Sequence, residues 1–64
     1  MRRRDLMKYL EASHCILYRE GAKHSIVRNI LNNKVSSIPR HLEIDNYLAR
    51  KICRDLDISE IKKK

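Results

Sequence analysis

The sequence predicts one α+β domain in the order α-β-β-β-α, with a three-stranded antiparallel sheet and two helices on one of its faces. Three observations support this prediction. Apolar residues recur at helical spacing near both ends of the chain. The middle contains segments of alternating β-branched and polar residues. A glycine and a pair of asparagines separate these segments, and both are typical of turns.

The first helix is predicted over residues 3–12. Leu6, Met7 and Leu10 fall on one side of a helix, and this stretch contains neither glycine nor proline. The basic run around Arg3 lies at the end of the chain, so its side chains are expected to be frayed and solvated.

Three strands with short turns follow. Gly21 lies in the first turn, over residues 20–23, where a glycine can take a positive φ. Asparagines form the second turn, and Pro39 ends the third strand because it lacks a backbone N–H. The strands are predicted over residues 14–19, 24–31 and 34–38.

The second predicted strand carries apolar residues on both of its faces. Alternation places His24, Ile26 and Arg28 on one face, and Ser25 and Val27 on the other. Two helices on one side of a sheet can cover only one of these faces. The alternation does not determine which face that is, and the other would expose an apolar patch suited to an interface.

The last helix, over residues 45–56, has the clearest pattern. Asp45 can cap its start, and apolar residues follow at intervals of four. They are Leu48, Ile52 and Leu56. The ordered core is therefore expected to span about residues 3–58 of a single domain over 1–64, with a basic tail over 59–64.

Cysteines and hydropathy narrow the class of protein. Cys15 and Cys53 each lie within an apolar pattern and are predicted to be small core residues rather than a disulfide framework. No spacing of Cys and His residues indicates a metal site, so no metal and no cofactor is predicted. No apolar run has membrane-spanning length and no signal peptide is recognisable, so a cytoplasmic protein without membrane association is expected.

The charge favours a polyanionic partner. Fifteen Lys and Arg residues face eight Asp and Glu residues, which gives a formal net charge of +7. A chain of 64 residues buries only a small core, so a deep cleft or a cofactor domain is excluded. Any chemistry must then take place on a shallow surface, where a nucleic acid supplies much of the binding area.

His24 is the candidate for such chemistry. It follows the glycine turn at the start of the second strand, and Lys23 and Arg28 provide cations nearby. Histidine changes charge closest to neutral pH and can transfer protons to or from RNA. The alternative is an exposed histidine at a strand end without a chemical role.

The chain resembles a HicA-type toxin over essentially its whole length. The resemblance depends on the element order, on Gly21-Ala22-Lys23-His24, on Ile38-Pro39-Arg40-His41 and on the final helix. It implies a fold like that of double-stranded-RNA-binding domains and the activity of an mRNA interferase, a metal-independent endoribonuclease with His24 as catalytic residue. It also implies a HicB-like antitoxin that covers the His24 surface. The complex would bind DNA only through this antitoxin.

Several other residues are candidate RNA contacts. The predicted set is Lys23, Arg28, Arg40, His41, Arg50, Lys51 and Arg54. His41 is either a second acid–base group or a residue that orders the loop before the last helix, and the second interpretation is favoured. The three cations of the last helix either hold phosphates or form its solvated face. Tyr18 can stack on a base, but the favoured interpretation is that it packs in the core or in an interface.

Two other functions stay open at the level of sequence. One is a non-catalytic RNA-binding module of the same fold, and the other is a protein-interaction module whose free sheet face docks a partner.

Overall fold

A computed structural model describes residues 1–60 of the protein. The α+β class and the predicted order of elements are confirmed, with an antiparallel sheet in the order β1-β2-β3. The elements are α1 (Arg3–Ala12), β1 (Cys15–Glu20), β2 (His24–Asn29), β3 (Val35–Pro39) and α2 (Asn46–Asp55). The lysines predicted to form a basic tail, Lys62 to Lys64, lie outside the described residues.

Both helices cover the same face of the sheet, as predicted. From α1, the Arg3 Nη2 donates to Ser25 Oγ over 2.7 Å, and beyond α2 the carbonyl of Leu56 accepts from Asn29 Nδ2 over 2.8 Å. Ser25, Val27 and Asn29 are buried beneath the helices. The buried apolar core consists of Leu6, Leu10, Cys15, Val27, Ile38, Ile44, Ala49, Ile52, Cys53 and Leu56.

The opposite face, which we call the open face, carries His24, Ile26 and Arg28 from the central strand. These side chains alternate with the buried ones and are exposed or half-buried. Pro39 lies opposite His24 in β3, and Arg19 lies opposite Ile26 in β1. The structure therefore identifies the histidine face as the one that no helix covers.

The second strand is shorter than predicted. It ends at Asn29, because the side chains of Asn29 and Asn32 accept hydrogen bonds from Leu31 N and Lys34 N, at 2.9 and 2.8 Å. These local bonds satisfy backbone N–H groups that a longer strand would have paired. The predicted strand end at Leu31 is thus part of a turn, and the third strand runs over Val35–Pro39, one residue later than predicted.

The amino-terminal residues are not frayed, contrary to the prediction for the basic run. Arg3 N donates to the carbonyl of Leu42 over 2.8 Å, and Ile44 N donates to the carbonyl of Met1 over 2.7 Å. The first three residues therefore pair with the loop that precedes α2. The sequence could not show this contact, because its two sides are about forty positions apart.

The two cysteines are core residues, as predicted, and they are not joined in a disulfide. Burial raises the pKa of the Cys15 thiol, and the neighbouring Cys53 raises it further. The predicted cap of the last helix is confirmed, since Asp45 Oδ2 accepts a hydrogen bond from Tyr47 N over 3.1 Å. Within residues 1–60, neither helix has the length and hydropathy needed to cross a membrane.

Candidate functional site

His24 opens β2 on the open face, and its imidazole is exposed. Within residues 1–60 this imidazole makes no hydrogen bond and no ion pair. Its backbone, in contrast, is fixed from two sides: the carbonyl accepts a 2.8 Å hydrogen bond from Gly21 N, and the residue pairs with Pro39 across the sheet. The ring is thus available to a substrate while its point of attachment is rigid.

Gly21 suits the turn for a different reason from the one predicted. Its φ is not positive, so the turn makes no use of a left-handed glycine. A Cβ atom at this position would instead lie 3.0 Å from the backbone oxygen of His24. The glycine therefore permits a close approach between the turn and the backbone of the histidine.

Arg40 closes the turn that carries His24. Its Nη1 donates to Glu20 Oε1 over 2.9 Å and to the carbonyl of Gly21 over 3.3 Å, and its backbone N–H donates to the carbonyl of Lys23 over 3.3 Å. One residue beyond β3 thus contacts both ends of the turn. Because Glu20 pairs with the guanidinium, Arg40 is not an uncompensated cation, and its role as an RNA contact stays a prediction.

A second arginine holds the site from beneath. Arg3 donates from Nη2 to Ser25 Oγ over 2.7 Å and from Nε to the carbonyl of Pro39 over 3.1 Å. The Ser25 hydroxyl in turn donates to Glu20 Oε1 over 2.7 Å. Ser25 is fully buried, so this hydroxyl stabilises the fold and does not face a phosphate.

We call these four residues the Arg3–Glu20 network: Arg3, Glu20, Ser25 and Arg40. It joins α1, β1, β2 and the loop after β3 at the edge of the sheet where His24 lies. Sequence reasoning missed Arg3 and Glu20 as contributors. The alternation of the strands groups Glu20 with Ser25 once the register is known, but the sequence alone does not supply that register.

Lys23 and His41 are the predicted residues that stay near His24 and keep exposed side chains. Lys23 precedes the histidine directly. His41 lies two residues beyond Pro39, the partner of His24 across the sheet. The His41 imidazole makes no hydrogen bond to any residue from 1 to 60, so it does not order the loop in that way. The backbone pairing of Met1 and Arg3 with this loop does so instead.

Arg28 lies on the face of His24 but at the other end of the strand, four residues away, which corresponds to about 13 Å along β2. Its guanidinium lies 5.7 Å from the centroid of the Tyr18 ring and donates to Asn33 Oδ1. A ligand that reached both Arg28 and His24 would therefore contact them with different parts of its length.

The cations of α2 are not brought together with His24. Arg50, Lys51 and Arg54 are exposed on a helix that covers the opposite face of the sheet. Lys51 pairs with Asp55 at 3.3 Å, and Arg54 pairs with Glu60 at 3.3 Å. Of the two interpretations left open for these residues, a solvated helix face agrees with the ion pairs that two of them form.

The described cavity of the domain does not include His24. It is a groove of about 850 Å³ between α1 and β1, with Arg4, Lys8, Leu17 and Leu42 in its lining. Among residues 1–60, no three His, Cys, Asp or Glu side chains converge on a point where they would hold a metal ion.

The open face is cationic and apolar. Glu20 is the sole carboxylate among the residues of the three strands, and it points to the covered face with its partner Ser25. Arg19 and Arg28 remain on the open face with His24 and the half-buried Ile26. This charge pattern suits an anionic ligand.

Comparisons with protein-family models, with curated proteins and with solved structures find no match to this chain.

Proposed function

We propose that the protein is an endoribonuclease toxin of the HicA type, which cleaves mRNA without a metal ion and uses His24 as its acid–base residue. One observation carries the proposal: an exposed imidazole without a partner among residues 1–60 stands on a backbone that Gly21 and β3 fix.

The reaction needs little from the protein because RNA supplies its own nucleophile. His24 accepts the proton of the 2′-hydroxyl, and the 2′-oxygen attacks the adjacent phosphorus. The bond from phosphorus to the 5′-oxygen breaks, and the leaving oxygen takes a proton from water or from His41. The products are a 2′,3′-cyclic phosphate and a 5′-hydroxyl end. A shallow face can perform such a step.

Lys23 stabilises the negative charge that develops on the phosphate during cleavage. Its exposed ammonium directly precedes His24, and negative charge grows on the phosphate oxygens as the new bond forms. Arg40 contributes chiefly by holding the turn, because its guanidinium is already bound to Glu20 and Gly21.

The resemblance extends the proposal to fold and partner. The domain then belongs to the folds that resemble double-stranded-RNA-binding domains, and it acts in the cytoplasm. A HicB-like antitoxin covers the His24 surface and provides the DNA-binding part of the complex. Exposed Ile16 and Val35 on the open face support a protein partner there, since they would be buried by it.

The test compares His24→Ala with His41→Ala. Both histidines are exposed, so neither change is expected to unfold the chain. We expect His24→Ala to lower RNA cleavage by about 10²–10⁴-fold and to abolish growth arrest on expression. His41→Ala should have a smaller effect, and cleavage in a chelator should produce cyclic-phosphate ends. Equal cleavage by the wild type and His24→Ala would refute the role of His24.

The second candidate is a non-catalytic RNA-binding module, which the cationic open face also favours. It predicts RNA binding whose affinity falls steeply with salt, with each phosphate contact contributing about 0.7 to the slope for a single strand. It also predicts that purified protein creates no new RNA ends, so the cleavage assay separates it from the first proposal.

A further inference from the structure

Tyr18 is exposed, so it does not pack in the core, and its place in an interface stays a prediction. The residue retains 56% of its accessible surface. The ring lies beneath the guanidinium of Arg28, a residue of the open face. A large aromatic ring therefore stands on the same uncovered surface as His24.

A β-bulge explains this position. Leu17 lies opposite Val27 and Arg19 lies opposite Ile26, which leaves Tyr18 as an extra residue without a partner across the sheet. An extra residue interrupts the alternation of side chains, and bulges commonly redirect a side chain in this way. Consequently both Tyr18 and Arg19 contribute to the open face, where a regular strand would have supplied one residue.

Arg28 holds the ring in a defined environment. Its guanidinium lies 5.7 Å from the ring centroid and is itself anchored by a hydrogen bond to Asn33. The site thus presents two planar groups, an aromatic ring and a cationic guanidinium that lies over one of its faces. Nucleobases stack on both kinds of group.

The surroundings favour RNA over a protein at this point. The apolar Ile16 and Val35, which lie opposite Arg28 on its two sides, also suit a protein partner, so the preference for RNA depends on the charges. Arg19 adds a second positive charge, and the sole carboxylate of the strands, Glu20, faces the other way. Base-stacking groups next to cations without a competing carboxylate match a nucleic acid strand.

We propose that Tyr18 and Arg28 form a stacking site for an unpaired base, and that single-stranded RNA crosses the open face from this site to His24. The two points are about 13 Å apart along β2, a distance that a few nucleotides can span. Bases within a duplex stack on each other and do not reach such a ring, so the substrate class is unpaired RNA. This inference rests on the proposed function for its direction toward His24.

The experiment measures binding separately from cleavage. His24→Ala protein is titrated with a single-stranded RNA of about six nucleotides and with the same sequence in a duplex. We expect Tyr18→Leu in this background to weaken single-strand binding by about 5- to 100-fold. Tyr18→Phe, which keeps a stacking ring, should bind within about twofold of the parent.

Tyr47→Leu is the matched control. Tyr47 is exposed to a similar degree, 65%, but lies on α2 on the other side of the sheet, so its replacement should leave binding unchanged. A photocrosslink from iodouridine RNA to the otherwise unaltered protein, mapped by mass spectrometry, tests the site without relying on the leucine variant. We expect the crosslink at Tyr18.

Three results would overturn the proposal: unchanged binding by Tyr18→Leu, equal affinity for the duplex, or a crosslink at Tyr47 in place of Tyr18. The first of these is also the outcome expected if the open face serves only a protein partner. If binding depends on Tyr18 but the wild type creates no new RNA ends, the proposed catalytic function fails while the stacking site stands.

Discussion

The two turns of the sheet are held in place by different means. The turn between β1 and β2, which carries His24, is fixed by Arg3 and Arg40 from distant parts of the chain. The turn between β2 and β3 is fixed partly by its own asparagines, whose side chains accept hydrogen bonds from backbone N–H groups two residues ahead. The same two asparagines, Asn29 and Asn32, also donate to the carbonyl of Leu56 beyond α2. Asn33 completes the turn with a left-handed backbone, φ 64°.

This difference separates stability from site geometry. The asparagine turn satisfies its own backbone N–H groups locally, and its distant contact, the carbonyl of Leu56, lies at the end of β2 away from His24. The histidine turn forms correctly only after α1, β3 and the following loop have assembled around it. Arg3 and Arg40 should therefore influence cleavage, whereas Asn29 and Asn32 of the other turn should influence only stability.

The largest effect is expected from Arg3→Gln. The change removes the charged donor to Ser25 and Pro39, and we expect it to lower the free energy of unfolding by about 2–3 kcal/mol. Cleavage by the remaining folded protein should also fall, because Pro39 lies opposite His24. Urea unfolding and RNA cleavage at low temperature measure the two effects.

Arg4→Gln is the control for that change. Arg4 is the next residue of α1 and is exposed, so its replacement should alter stability by less than about 0.5 kcal/mol. Equal losses of stability in the two variants would mean that the buried contacts of Arg3 have no special role.

A smaller loss of stability, without a loss of cleavage rate, is expected from Asn29→Ala. Asn29 is buried, donates to the carbonyl of Leu56 and accepts from Leu31 N. Removing it should cost about 1–2 kcal/mol, since a partner is left without its hydrogen bond. The rate of cleavage per folded molecule should stay the same, and a marked fall would erase the distinction between the two turns.

The smallest change in stability is expected from Gly21→Ala. The new Cβ would press on the carbonyl of His24, and the backbone must yield at a cost of about 1 kcal/mol. Because the histidine moves with its carbonyl, cleavage should fall by up to about tenfold. Asn32→Ala in the other turn removes the acceptor of Lys34 N without touching the Tyr18–Arg28 site, so it should leave cleavage per folded molecule unchanged and serves as the comparison.

Local patterns predicted the elements well, and contacts between distant residues account for the differences. The first helix matches residues 3–12 because Leu6 and Leu10 keep helical spacing and both are buried. The covered face of β2 was undetermined because its buried side holds Ser25 and Asn29, which are polar. Both are satisfied by tertiary hydrogen bonds, which no pattern of hydrophobicity indicates.

The residues of the candidate site also differ in whether the sequence alone could predict them. His24 was recognisable from its place after the glycine, since exposure at a strand start depends on nearby residues. Arg3 was not, because its bond to Ser25 joins residues 22 positions apart and depends on how α1 lies on the sheet. The HicA-type function stays a prediction that the cleavage experiment tests.

The bulge at Tyr18 also bears on how copies of this chain remain separate. β1 is an outer strand of the sheet, and a regular outer strand can pair with the same edge of another molecule. The extra residue breaks the even spacing of backbone groups in the middle of β1. At the other edge, β3 ends in Pro39, which has no N–H to offer. Both margins of a small sheet with exposed Ile16 and Leu17 are thereby poor templates for aggregation.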